Sequence, residues 1–98
     1  MITVSVQTSN NKISTMKVTG HANYAKHGED LVCAGVSAIM YGLCNTLDEL
    51  KTKSSYKVTR NTFLIQSDLS QKSETILRTG LIQLKTIEEA YPQNIKIK

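Results

Sequence analysis

Between Leu31 and Leu50 the apolar residues Val32, Val36, Ile39, Leu43, Leu47 and Leu50 recur at three- and four-residue steps, a spacing that only an α-helix gathers onto one face. Leu31, Ala34, Ala38 and Met40 widen the stripe early, so this helix is expected to be buried at its start and wetter at its end. A helix of about twenty residues is about 30 Å long. Its apolar face needs a second layer to cover it.

The flanking segments carry the period of two expected of that layer. Ile2, Val4 and Val6 alternate with Thr3, Ser5 and Gln7, and Ser9-Asn10-Asn11 supplies turn chemistry, so a first strand ends near Thr8. Ile13 to Thr19 reads as its return partner, with Met16 and Val18 on one face and Thr15 and Lys17 on the other. Tyr56 and Val58, then Phe63 and Ile65, flank Arg60-Asn61 as a second hairpin. After Ser70, a plausible cap, Leu77, Leu81, Leu84 and Ile87 mark a second helix that runs to about Tyr91 and is stopped by Pro92. Asn94 to Lys98 alternates as a short last strand. The order β-β-α-β-β-α-β predicts an α+β fold, with two helices packed on a mainly antiparallel sheet of about five strands. Strand order is not readable from this pattern.

A chain of 98 residues fits one domain spanning 1–98. The formal charge is +4 and the pI near 9.2, but the basic residues are scattered from Lys12 to Lys98 with no run of five, which predicts a solvated surface. No direct nucleic-acid partner is expected. The N-terminus lacks the features of a signal peptide, and no stretch approaches the roughly 18 apolar residues of a membrane span. No membrane partner and a cytoplasmic location follow as expectations. Two cysteines without a Cys-x-x-Cys pair argue against a disulfide framework and a zinc ribbon, so both are read as thiols.

Residues 20–30 break every period, are polar, and are bracketed by Gly20 and Gly28; they read as a mobile loop. Asp30 stands at the expected N-cap, with a carboxylate able to accept from the N–H of Val32 or Cys33, which puts Cys33 in the first helical turn. A thiol attacks as thiolate, and a helix start or a cationic neighbour favours that form. Cys33 has the first, and His21, at the end of the second strand, is placed to supply the second. The eleven residues between them permit contact without forcing it. Read blandly, Cys33 is a small buried residue and His21 and His27 are polar loop residues.

The stretch Gly20-His21-Ala22-Asn23-Tyr24-Ala25-Lys26-His27-Gly28-Glu29-Asp30-Leu31-Val32-Cys33-Ala34-Gly35-Val36-Ser37-Ala38 closely resembles the ribosomal-processing cysteine proteases called Prp. The shared pattern is Gly-His-Ala, a loop with Gly-x-Asp, then an aliphatic pair and Cys-Ala-x-x-Ser. The resemblance implies a protease that removes a short N-terminal extension from large-subunit ribosomal protein twenty-seven, cutting after an apolar stretch that ends in aromatic residues. It also implies a homodimer. It places the catalytic histidine on His21 and the nucleophile on Cys33, and both residue types are intact.

Asp30 is the supporting residue with competing roles: as a cap it occupies helix N–H groups that an oxyanion would use, and its charge opposes thiolate formation. Its capping role is favoured over orienting His21. Ser37, one turn after Cys33, is in reach of the thiol or substrate but more often bonds the carbonyl four residues back. Cys44 shares the Cys33 face about 16 Å further along, too far for a disulfide, and reads as core. The same separation forbids one zinc site built from both thiols, and no cofactor or metal is expected. A ribosome- or RNA-binding module without catalytic activity is the rival reading. It rests on the basic pI and lacks a Gly-x-x-Gly loop, paired strand aromatics or an arginine cluster.

Overall fold

The computed structural model describes residues 1–20 and 29–98, with the backbone alone of Glu29 and Asp30. Its elements are β1 (Ile2–Ser9), β2 (Lys12–Thr19), α1 (Glu29–Glu49), β3 (Ser55–Val58), β4 (Thr62–Gln66), α2 (Gln71–Ala90) and β5 (Ile95–Ile97). Asn10 and Asn11 turn the first hairpin with φ of 52° and 65°, the left-handed pair that joins twisted strands most tightly and that asparagine tolerates better than other side chains. Ser70 caps α2 as expected, its hydroxyl accepting from the Ser73 N–H at 3.1 Å.

The strands form one sheet in the order β3-β4-β2-β1-β5. Every pair is antiparallel except β1 with β5, which runs parallel after the α2 crossover. In the β1–β2 pair Gln7 faces Thr15 while Thr8 faces Ile13, so Ser14 is an extra residue on β2. That bulge reverses the alternation, which is why Ile13 and Met16, of opposite parity, are both buried.

One face of the sheet carries Val4, Met16, Val18, Phe63 and Ile65 into a core closed by Val32, Val36, Met40 and Leu47 of α1 and by Leu77 and Leu84 of α2. Each such side chain contributes about 2 kcal/mol by leaving water. The helices meet closely where Gly80 lies under Leu43; a methyl group built at Gly80 would overlap the leucine side chain. The burial of α1 differs from the gradient expected of it. Leu31 is 64% exposed and Ala34 and Ala38 are exposed, whereas buried residues continue through Leu47. A helix touching a sheet on one side and one helix on another buries a narrow strip, and the early alanines fall outside it. Leu31–Glu49 is also long and apolar enough, by length and composition, to cross a membrane, contrary to expectation; in this fold one side of it closes the core.

Candidate functional site

The start of α1 differs from the expected boundary. The helix begins at Glu29, so Asp30 is its second residue and not its cap, and Cys33 is its fifth. Acidic residues are favoured throughout a first turn by the helix dipole, so Glu29-Asp30 satisfies the pattern of a first turn as well as that of a cap. Side chains on a helix lean toward its N-terminus, so the Cys33 thiol leans over the turn whose N–H groups have no partner within the helix. His21, His27 and the remainder of the 20–30 loop beyond Gly20 lie outside the described residues, as do the side chains of Glu29 and Asp30.

The departure point toward His21 is well defined. Gly20 has φ of 80° and donates its N–H to the Asn61 carbonyl at 3.3 Å. A Cβ at this position would run into the Met1 carbonyl oxygen, so only glycine lets β2 end against the N-terminal backbone.

Cys33 is half-buried and packs against the edge of the core, one side remaining open to solvent. Ser37, also half-buried, follows one turn later, and Tyr41 one turn after that. Tyr41 is 51% exposed and sets its ring edge against buried Phe63, with centroids 4.9 Å apart and planes at 84°. Tyr41 is the residue that the sequence reading missed. The signal was its spacing of eight residues from Cys33, two turns along the same side.

Cys44 continues this side of the helix in a different environment. It is only 2% exposed, and burial, then the neighbouring Asp48 carboxylate, pushes its thiol up to about 11. Both cysteines are free. Beyond Cys44, the Tyr56 hydroxyl donates to Asp48 and ties α1 to β3; that bond raises the Tyr56 pKa above its usual value.

The opposite end of the sheet is held by carboxylates on α2 and the segment before it. Asp68 accepts from the Ser70 hydroxyl at 2.7 Å, the Ser70 N–H at 2.9 Å and the Lys53 N–H at 2.8 Å, which keeps it well below the usual carboxylate range. Burial pushes Glu74 up, but the Ile13 N–H at 2.7 Å and the Arg78 guanidinium at 2.9 Å outweigh it and leave the carboxyl lowered. These are structural ties. A groove of about 540 Å³ runs between the helices, lined by Ile39, Gly42 and Thr46 of α1 and Ile76, Thr79 and Gln83 of α2, and Cys33 is not among its walls. Among the described residues no three histidine, cysteine or acidic side chains gather where they would hold a metal ion.

The family described as "Cysteine protease Prp" matches residues 1–96. The chain is similar to the ribosomal processing cysteine protease Prp of Bacillus subtilis, with 31% identity over 107 aligned positions covering 99% of this chain and 96% of the relative. Among solved structures it is similar to an essential ribosomal processing protease Prp from Staphylococcus aureus in complex with a substrate peptide, with a TM-score of 0.88, 31% identity, and coverage of 100% and 98% of the two chains. The same protease with a covalently linked product peptide superposes with a TM-score of 0.85 at 34% identity, again covering 100% and 98%.

Proposed function

The chain belongs to the cysteine protease Prp family and is a cysteine protease; from that premise we propose that it removes the N-terminal extension of large-subunit ribosomal protein twenty-seven, with Cys33 as nucleophile and His21 as its acid–base partner. The observation that carries this reading is the position of Cys33: half-open to solvent on a core helix, one turn from the N–H end of α1. The Gly20-His21-Ala22 and Cys33-Ala34 motifs supply the partner.

In this mechanism the Cys33 thiolate attacks the scissile carbonyl carbon, and the developing oxyanion is held by N–H groups of the first α1 turn. The C–N bond breaks as His21 gives its proton to the leaving amine, leaving a thioester on Cys33. Water, losing a proton to His21, then hydrolyses the thioester and frees the thiolate. Asp30, within the first turn, serves the helix N-terminus and the orientation of the loop. Ser37 lies one turn from the thiol as a supporting hydroxyl. Tyr41 offers an exposed ring about 12 Å along the helix from Cys33, a reach of three to four residues of extended peptide at about 3.3 Å each. An apolar or aromatic side chain that far from the scissile bond would rest on it.

The enzyme works as one domain over residues 1–98, in the cytoplasm, where free thiols persist. It works as a homodimer; the helix layer supports pairing by exposing Leu31 on α1 and Ile82 on α2.

Incubation with a peptide spanning the precursor's cleavage site tests the reading. Wild type and Cys44→Ala cleave; Cys33→Ala and His21→Ala do not, and mass spectrometry finds the acyl adduct on the peptide containing Cys33. Cleavage by Cys33→Ala, or loss of cleavage only on His27→Ala, overturns the assignment. Sedimentation analysis checks the dimer.

A further inference from the structure

The charges of this protein are sorted by layer. All eight acidic residues lie in α1, in α2 or at Asp68 just before α2, and the strands contain none. The strands instead carry Lys12, Lys17, Lys57 and Lys96. Three of these lie on the face of the sheet that the helices leave uncovered. Register places Lys57, Leu64, Lys17 and Ser5 in one row across four strands. The next row is Thr62, Thr19, Thr3 and Lys96. Lys17, Lys57 and Lys96 are exposed, and none forms an ion pair among the described residues.

Lys57 and Lys17 stand two strand spacings apart, about 9.6 Å, and Lys96 lies two strands and one row from Lys17, roughly 12 Å away. These separations exceed the Debye length of about 8 Å at physiological salt but lie well inside the roughly 30 Å at 0.01 M, so the fields of neighbouring ammonium groups reinforce one another as salt is lowered. Between them stand threonine and serine hydroxyls able to donate to phosphate oxygens. Leu64 is the one apolar side chain in the two rows and is half-buried.

We propose that this open sheet face is a docking surface for RNA that grips the sugar–phosphate backbone. A second copy of the chain is a poor occupant, because facing copies would bring six lysines together. A lipid surface is also a poor occupant, because the face has no apolar side chain free to insert. The two rows carry no aromatic ring on which bases would stack, so recognition is of phosphate and not of sequence. The face lies on the opposite side of the sheet from α1, so RNA docking and peptide cleavage at Cys33 proceed together. The lysines that are scattered along the sequence, and there predict only a solvated surface, are collected by strand register.

The test is binding of a fluorescent 20-nucleotide oligouridylate to the full chain between 50 and 200 mM salt. The variants are Lys17→Gln/Lys57→Gln/Lys96→Gln and, as a control on the helix layer, Lys72→Gln/Lys85→Gln. Wild type binds with a steep salt dependence. The triple variant loses about 2 from the slope of log K against log salt, at about 0.7 for each lost phosphate contact, and binds at least tenfold more weakly at 50 mM. The control variant binds like wild type, and all three proteins cleave peptide equally, which separates this surface from the protease assignment. An unchanged slope in the triple variant, a larger loss in the control, no RNA binding at 50 mM, or tighter binding to phosphatidylserine vesicles than to RNA overturns the proposal.

Discussion

Cys33 and Cys44 lie on one side of one helix, and their surroundings give them opposite chemistry. Cys33 is near the N–H end of α1, half-open to solvent, in line with Ser37 and the exposed Tyr41. Cys44 is sealed in the core beside Asp48, and burial with a like charge keeps it protonated. Position along the helix axis, and not residue type, separates a thiol that can react from one that only fills space. Coverage of α1 itself is not graded along the axis: Val32 and Val36 near its start are as buried as Met40 and Leu47, while Leu31 and Ala34 fall outside the strip that meets the sheet and α2.

The largest expected effect is in thiol chemistry. With its thiol near 11, Cys44 holds only about one thiolate in a thousand at pH 8, and burial slows it further. Iodoacetamide at pH 8 therefore labels the half-open Cys33 far faster than the sealed Cys44, and denaturant removes the difference. Comparable labelling in the native state would break the contrast.

Next in size is the packing that seals Cys44. Gly80→Ala pushes a methyl group into Leu43, one residue from Cys44, and costs about 2 kcal/mol as overpacking. Urea unfolding should show it as a lower midpoint with unchanged slope. Cys44→Ala leaves a smaller defect of about 1 kcal/mol, with cleavage retained; a loss of activity larger than the loss of folded protein would give Cys44 a role it lacks here. At the open end, Tyr41→Ala is expected to raise KM several-fold at nearly constant kcat, whereas Tyr41→Phe keeps the ring and behaves as wild type.

The smallest effect is a pH dependence remote from both thiols. Asp68 and Glu74 have lowered carboxyl pKa values in the folded protein, so the unfolded chain binds protons more readily than the folded one. Their stabilisation is complete above the ordinary carboxylate range and is lost as pH falls through it toward the folded values. Thermal unfolding between pH 6 and pH 3 should follow this slope, and Asp68→Asn with Glu74→Gln should flatten it.

The element pattern was legible because it depends on short-range spacing. Alternation in Ile2 to Gln7, three- and four-residue steps in both helices, Ser70 at a cap and Asn10-Asn11 at a turn each express a local preference. The start of α1 was less so, since Glu29 and Asp30 suit a cap and a first turn equally. Burial was misjudged at Leu31 and Ala34 because a run of apolar residues does not say which strip of a helix meets its neighbours.

The sequence by itself therefore determined the order of elements, the motif around His21 and Cys33, and the family to which the chain belongs, because these are properties of residues near one another in the chain. Tertiary structure alone decided the strand order β3-β4-β2-β1-β5, the sealing of Cys44, the seating of Tyr41 against Phe63, and the gathering of Lys17, Lys57 and Lys96 on one face. Each of these requires residues far apart in sequence to meet, and pairing between distant strands is set by the whole core and not by any local period.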